Sequence, residues 1–219
     1  MKINADFSRS AMVVLEDSNW VRSPQPGVER IMLDRIGDEV ARATSVVRYA
    51  KGSSFNRHEH AMGEEFLVLE GVFSDEHADY PTGTYVRNPP GSGHSPYSQD
   101  GCRILVKLRQ FDDQDLSHVV IDTQDAELWS TDGNSAKRLP LHSYATEQVQ
   151  MLRLATNEHC ILPGNGSEVF VVSGSLSVDG ADYPSESWLR FPTGEEKPVV
   201  AKGATLLWQK SGHLANIPG

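Results

Sequence analysis

The sequence predicts an all-β fold built as two similar barrels in tandem, and three observations carry that reading. Short runs of β-branched and aromatic residues recur, separated every eight to twelve residues by Gly, Pro, Asn or Asp, as in an all-β barrel or sandwich. Helix signals are poor throughout. A block in the second half repeats the first at a shift of 103 residues, laying EFLVLEGVFS from Glu65 on EVFVVSGSLS from Glu168.

Taken in order, the N-terminal stretch MKINADFSRSAMVVLEDSNW carries Asp6 and Glu16 and has no apolar h-region, so it does not read as a signal peptide. ARATSVVRYA, beginning at Ala41, clusters β-branched residues as a strand does. GSSFNRHEHAMGEEFLVLEG runs from Gly52 to Gly71, and GTYVRNPPGSGH from Gly83 to His94. CRILVKLRQF and HVVID follow as further strands. The polar stretch TQDAELWSTDGNSAKRLP after Asp122 is the best linker candidate, which puts one lobe at residues 1–123 and the other at 124–219.

Composition narrows the function. A chain of 219 residues suits one large all-β unit or two small ones. Its formal charge is −10 and no Lys/Arg cluster exceeds a pair, which argues against direct nucleic-acid binding. No apolar run approaches the roughly 18 residues of a membrane span. Cys102 and Cys160 lie far apart in apolar surroundings and read as small buried hydrophobes in a reducing compartment, so a cytoplasmic protein is expected.

The chemistry lies in the first lobe. His58 and His60 are one residue apart, which on a strand points both rings to one face. Glu64 enters after a short turn at Met62-Gly63, and His94 follows thirty residues later. Three imidazoles and a carboxylate form a mixed N/O site for a divalent transition metal. A lone H-x-H would be weak evidence, but here it sits in G-x5-H-x-H-x3-E-x6-G followed by G-x5-P-x-G-x2-H. Strand alternation lets only one of Glu64 and Glu65 reach the site, and the motif spacing favours Glu64. Glu65 is matched by Glu168 in the repeat, which suggests a structural role common to both lobes.

The repeat also supplies an internal control. Tyr80-Pro81 falls on Tyr183-Pro184, Pro89 on Pro192 and Gly91 on Gly194. The stretch equivalent to the one holding His58 and His60 is CILPGNGS, and His94 falls on Lys197. A cation there would repel a metal ion, so the second lobe is expected to be metal-free.

Near the site by sequence, Tyr49, Phe66, Tyr85, Arg87 and Tyr97 are candidates to line a pocket, although core packing of aromatics is the plainer reading. The cluster Asp75-Glu76-His77-Ala78-Asp79 reads as a solvated charge run in an exposed hairpin. His118, His142, His159 and His213 lack partners at ligand spacing. No nucleophilic triad, phosphate-binding glycine loop or paired-Cys zinc motif is present, and no catalytic residue can be assigned.

The two-part histidine motif is that of the cupin superfamily, which the chain strongly resembles; Ser98 stands where the pattern usually has Asn. INADFS, PGVERIMLDRIGDEVARATSVVRYA and KLRQF, with the core between them, further resemble the cupin-like domain of ChrR anti-sigma factors over about residues 3–123. A weaker form returns over roughly residues 136–214. The resemblance implies two tandem cupin barrels (double-stranded β-helix, jelly-roll) and ligands at His58, His60, Glu64 and His94. It implies zinc before iron, manganese or nickel, and a part in sensing singlet oxygen and related oxidants. The family's helical sigma-binding domain holds its own zinc through a His-x3-Cys-x2-Cys motif, which does not occur in this chain, so a sigma-factor partner is not carried over. The same cupin-like family resembles metal-dependent dioxygenases that cleave diketones, so a small-carbonyl dioxygenase is the competing expectation, and a purely structural metal a third. A small molecule or oxidant is the expected ligand. Two-barrel cupins often associate through sheet edges, which makes a homodimer one expected state.

Overall fold

The computed structural model describes residues 1–131, 136–194, 196–214 and 217. Apart from one 3-10 turn at Ala126–Leu128, its regular elements are antiparallel strands. The chain separates into two compact units. The first holds Met1–Ala5 and Asn19–Gln124, the second Asp6–Ser18 and Asp125–Gly219.

In the first unit the main sheet runs in the order Lys2–Ile3, Val28–Gly37, Ala41–Tyr49, Cys102–Leu108, Glu64–Ser74, Thr84–Asn88, Val119–Asp122. Strand Glu64–Ser74 is long enough to leave this sheet at its far end, where it pairs with Asp79–Pro81 and Tyr97. A bulge makes that possible. Opposite Arg103 and Ile104 the partners are Glu70 and Val68, so one extra residue is inserted and the alternation of faces flips. Phe66 and Val68 before the bulge and Phe73 after it therefore all enter one core, with Val28, Tyr49, Tyr80, Val86, Ile104 and Val106.

The second unit repeats this plan. Its larger sheet runs Ser130–Thr131, Lys137–Tyr144, Glu147–Leu154, Thr205–Ser211, Asn165–Ser173, Ser187–Thr193, Ala11–Val14. Its smaller sheet runs His159–Leu162, Lys197–Ala201, Ser175–Val178, Ala181–Pro184. Its core includes Leu152, Leu162, Val169, Val171, Leu189, Phe191 and Leu207.

Two features differ from the sequence reading. Ala11–Val14, placed by sequence in the 1–123 lobe, is an edge strand of the second unit, with Ala11 opposite Arg190 and Val14 opposite Ser187. Val119–Asp122 takes the matching place in the first unit, Val119 opposite Arg87. The linker stretch is also more ordered than expected. Asp125 caps the 3-10 turn through the Glu127 amide, and Ser130 pairs with Arg138. Residues 132–135 of that stretch lie outside the described residues.

Candidate metal centre

Strand His58–His60 alternates its side chains, leaving Glu59 exposed while both imidazoles take the other face. It pairs with Ser92–His94, which sets His94 directly opposite His58. The three rings pack edge to face, with centroids 4.9 Å apart for His58 and His60, 5.1 Å for His58 and His94, and 4.8 Å for His60 and His94. After His60 the chain turns tightly, the Gly63 amide donating to the His60 carbonyl at 3.1 Å. Gly63 has φ of 74°, a backbone conformation that favours glycine. This turn delivers Glu64 as the first residue of the long strand.

One ligating atom from each of His58, His60, Glu64 and His94 lies within 4.8 Å of the other three. Glu64 Oε2 is 3.4 Å from both His60 Nε2 and His94 Nε2. Both nitrogens are buried and make no hydrogen bond. Buried polar atoms ordinarily find partners, because leaving one unpaired costs about 1–3 kcal/mol. A divalent cation among the three rings and the carboxylate would satisfy both, so the residues present fit a metal.

Two of the outer nitrogens have partners. His58 Nδ1 lies 3.0 Å from the Asn56 carbonyl and His94 Nδ1 lies 3.0 Å from Asp75 Oδ2. A carbonyl and a carboxylate only accept, so each Nδ1 carries the proton and each Nε2 keeps its lone pair. Asn88 Nδ2 donates to Glu64 Oε2 at 3.2 Å.

Charge at the site is unevenly set. Burial, with the neighbouring His94 and His58, lowers the His60 pKa against the pull of Glu64. His94 goes the other way: burial would lower it, but the Asp75 hydrogen bond and the charges of Glu64 and Asp75 outweigh burial and raise it. For Asp75 burial opposes ionisation, yet the hydrogen bonds from His94 and the His77 and Ala78 amides hold its carboxyl below the usual range.

Behind the histidines the barrel is filled with rings. Phe73 lies 5.9 Å from His94, 5.4 Å from Tyr49 and 4.8 Å from Phe66, and Phe55 lies 5.5 Å from His58. Burial, reinforced by the nearby Glu64 charge, raises the Tyr49 hydroxyl pKa. Tyr49 and Phe66 are packed into this core behind the site, the plainer of their two sequence readings. Tyr85 and Arg87 are not: they sit on the opposite sheet face, where both donate to Glu65 at 2.7 and 2.8 Å. Tyr97 is 39% exposed at the surface.

Asp75 is brought against the site although its sequence position gives no sign of it. Glu76 to Asp79 are exposed as expected, but Asp75 is buried against His94. The second unit shows no comparable cluster of its own among the described residues. There Lys197 stands opposite Leu162, as His94 stands opposite His58, and pairs with Asp179.

Comparison with known proteins agrees with this architecture. Residues 8–112 match the family described as the ChrR cupin-like domain. No curated protein matches the chain significantly. Among solved structures, the fold is similar to a candidate dioxygenase from Nostoc punctiforme at 13% identity, covering 96% of this chain and 85% of that one with a TM-score of 0.75. It is similar to a bacterial pirin from Escherichia coli in complex with nickel(II), at 13% identity, 93% and 98% coverage and a TM-score of 0.68. It is also similar to a mutant oxalate decarboxylase from Bacillus subtilis, at 12% identity, 94% and 78% coverage and a TM-score of 0.63.

Proposed function

We propose, from the match of residues 8–112 to the family described as the ChrR cupin-like domain, that the chain is a metal-dependent regulatory module that responds to oxidants. His58, His60, Glu64 and His94 hold one divalent transition metal in the first unit, and the second unit holds none. The observation that carries this is the pair of bare, buried Nε2 atoms of His60 and His94 facing one carboxylate. The family resemblance makes zinc the first metal to test. Aromatic packing behind the rings closes the barrel interior, while His58 is half-buried, so a small oxidant has its approach on the His58 side.

A second reading is a non-haem metal-dependent dioxygenase acting on a small carbonyl compound. Two observations favour it: four side chains do not fill an octahedral shell, and the His58 edge is accessible. A metal held by His58, His60, Glu64 and His94 would supply Lewis acidity there. The fold likeness to the candidate dioxygenase and to the oxalate decarboxylase is compatible with it.

Elemental analysis of protein purified without added metal tests the site. We expect one metal per chain in the wild type and in His118→Ala, and most of it lost in His58→Ala and His94→Ala. Equal loss in all three variants, or metal retained when the four ligands are replaced, defeats the assignment. Exposing the loaded protein to singlet oxygen while following metal release, alongside oxygen uptake with small diketones, separates the two functions. Release without uptake supports the regulator, and metal-dependent uptake supports the enzyme.

A further inference from the structure

The geometry points to the acidic turn at residues 75–78 as the device that aims the ligands, with Asp75 a positioning residue acting through His94. This rests on the ligand reading above. The turn joins strands Glu64–Ser74 and Asp79–Pro81, and it is closed by the Asp75 amide donating to the Ala78 carbonyl at 3.1 Å. Asp75 itself is 6% exposed, far less than a surface acid. Its Oδ2 holds His94 Nδ1 at 3.0 Å, while Oδ1 accepts from the His77 and Ala78 amides at 2.8 and 3.1 Å. The Tyr80 hydroxyl lies 3.3 and 3.4 Å from the two oxygens. Both carboxylate oxygens are thereby fixed before any metal arrives.

The next residue extends the grip. Glu76 Oε2 accepts from the Ser95 amide at 2.7 Å, and Oε1 pairs with Arg57 Nη1 at 2.8 Å. Ser95 follows His94 and Arg57 precedes His58, so Glu76 ties together the ends of the two paired strands that bear those histidines. One carboxylate sets a ring and its neighbour sets the strands. A carboxylate on the outer nitrogen fixes the ring plane and strengthens the inner nitrogen as a donor, which is how outer-shell groups tune a metal site. Asp75 thus belongs to the centre although it faces no metal.

Cobalt(II) serves as the probe, with affinity read by chelator competition and geometry by the visible d–d spectrum. Asp75→Ala should weaken Co2+ binding by roughly 10- to 100-fold and alter the d–d bands. Asp75→Asn keeps one acceptor for Nδ1–H but turns an NH2 toward the His77 and Ala78 amides and removes the charge, so it should recover only part of either. Glu76→Gln should lose less affinity than Asp75→Ala. Wild-type Co2+ affinity and spectrum in a folded Asp75→Ala chain overturn the inference. If His94→Ala also binds Co2+ normally, the ligand reading itself fails; if His94→Ala loses Co2+ while Asp75→Ala does not, only the role of Asp75 fails. Ring 15N spectra of the zinc-loaded wild type give a readout independent of any variant's folding. They should show the proton on His94 Nδ1, and a metal on Nδ1 would overturn the inference.

Discussion

Glu64 and Glu65 are consecutive in one strand, and their carboxylates serve opposite faces of its sheet. Glu64 Oε2 stands 3.4 Å from two imidazole nitrogens. Glu65 Oε2 accepts from the Tyr85 hydroxyl and from Arg87, whose other nitrogen reaches Asp115 at 2.6 Å. Glu168 repeats the second role, accepting from Trp188 Nε1 at 2.6 Å. Alternation along a strand thus turns one carboxylate toward the histidines and its neighbour into a buried ion-paired group.

That division is measurable. Glu64→Gln should cut metal affinity by more than a factor of about ten while leaving the metal-free fold nearly as stable. Glu65→Gln should do the reverse, because removing one partner of a buried ion pair costs about 3–5 kcal/mol. Metal titration and thermal unfolding of both variants decide it. Similar metal loss in the two would contradict the assignment.

His58, His60 and Glu64 are legible because strand periodicity and one tight turn fix their directions locally, whereas His94, on a separate paired strand, is legible only through the second half of the spaced motif. The parity that separates Glu64 from Glu65 could also have sorted the aromatics. Val86 pairs opposite Phe66 and enters the core, whereas Tyr85 and Arg87 pair opposite Leu67 and Glu65. Asp75 was not legible. Its contact with His94 depends on where the hairpin beginning at Ser74 is carried by the small sheet, where Ser74 pairs with Tyr97. Nor was the placement of Ala11–Val14, because an edge strand donated from the far end of the chain leaves no local signal.

Acid should release the metal earlier than free imidazole chemistry implies. Protons compete with metal for the same ring nitrogens. With its pKa raised, His94 of the metal-free chain takes up its proton already above the ordinary value of about 6.5, while His60, held low by burial, follows only at lower pH. Affinity should therefore begin to fall above pH 6.5 on acidification. The metal-free fold should show the linked effect: the His94 contribution to stability is full below about 6.5 and is lost as pH rises through its raised value. The His60 contribution is present above about 6.5 and is lost as pH falls through its lowered value. Titrating Co2+ into the protein between pH 5 and 8 tests this, and a flat affinity across that range would refute it.

Neither thiol should act as an oxidant sensor. Burial raises the Cys102 pKa to about 11, and it raises that of Cys160 as well, so little thiolate exists near neutrality. Iodoacetamide at pH 8 should label neither cysteine in the native protein and both after unfolding, as judged by mass spectrometry. Fast native labelling would reopen a thiol-based response.

Gly63, at the turn before Glu64, should tolerate no side chain. A Cβ at this position would fall 2.4 Å from the Phe111 ring, in addition to the cost of its positive φ. Gly91 has φ of 82° but nothing within 4 Å of an added Cβ, so it isolates the backbone cost. Gly91→Ala should destabilise by about 1–2 kcal/mol. Gly63→Ala should cost roughly 2–5 kcal/mol, because overpacking is added to the same backbone cost. Phe111 lies under the Arg87 guanidinium at 3.9 Å, so its displacement also disturbs the buried group around Glu65. Because Gly63 directly precedes Glu64, its replacement should weaken Co2+ binding as well as lower the melting temperature. Equal melting temperatures for the two alanine variants would show that the turn tolerates a side chain and that Phe111 yields freely.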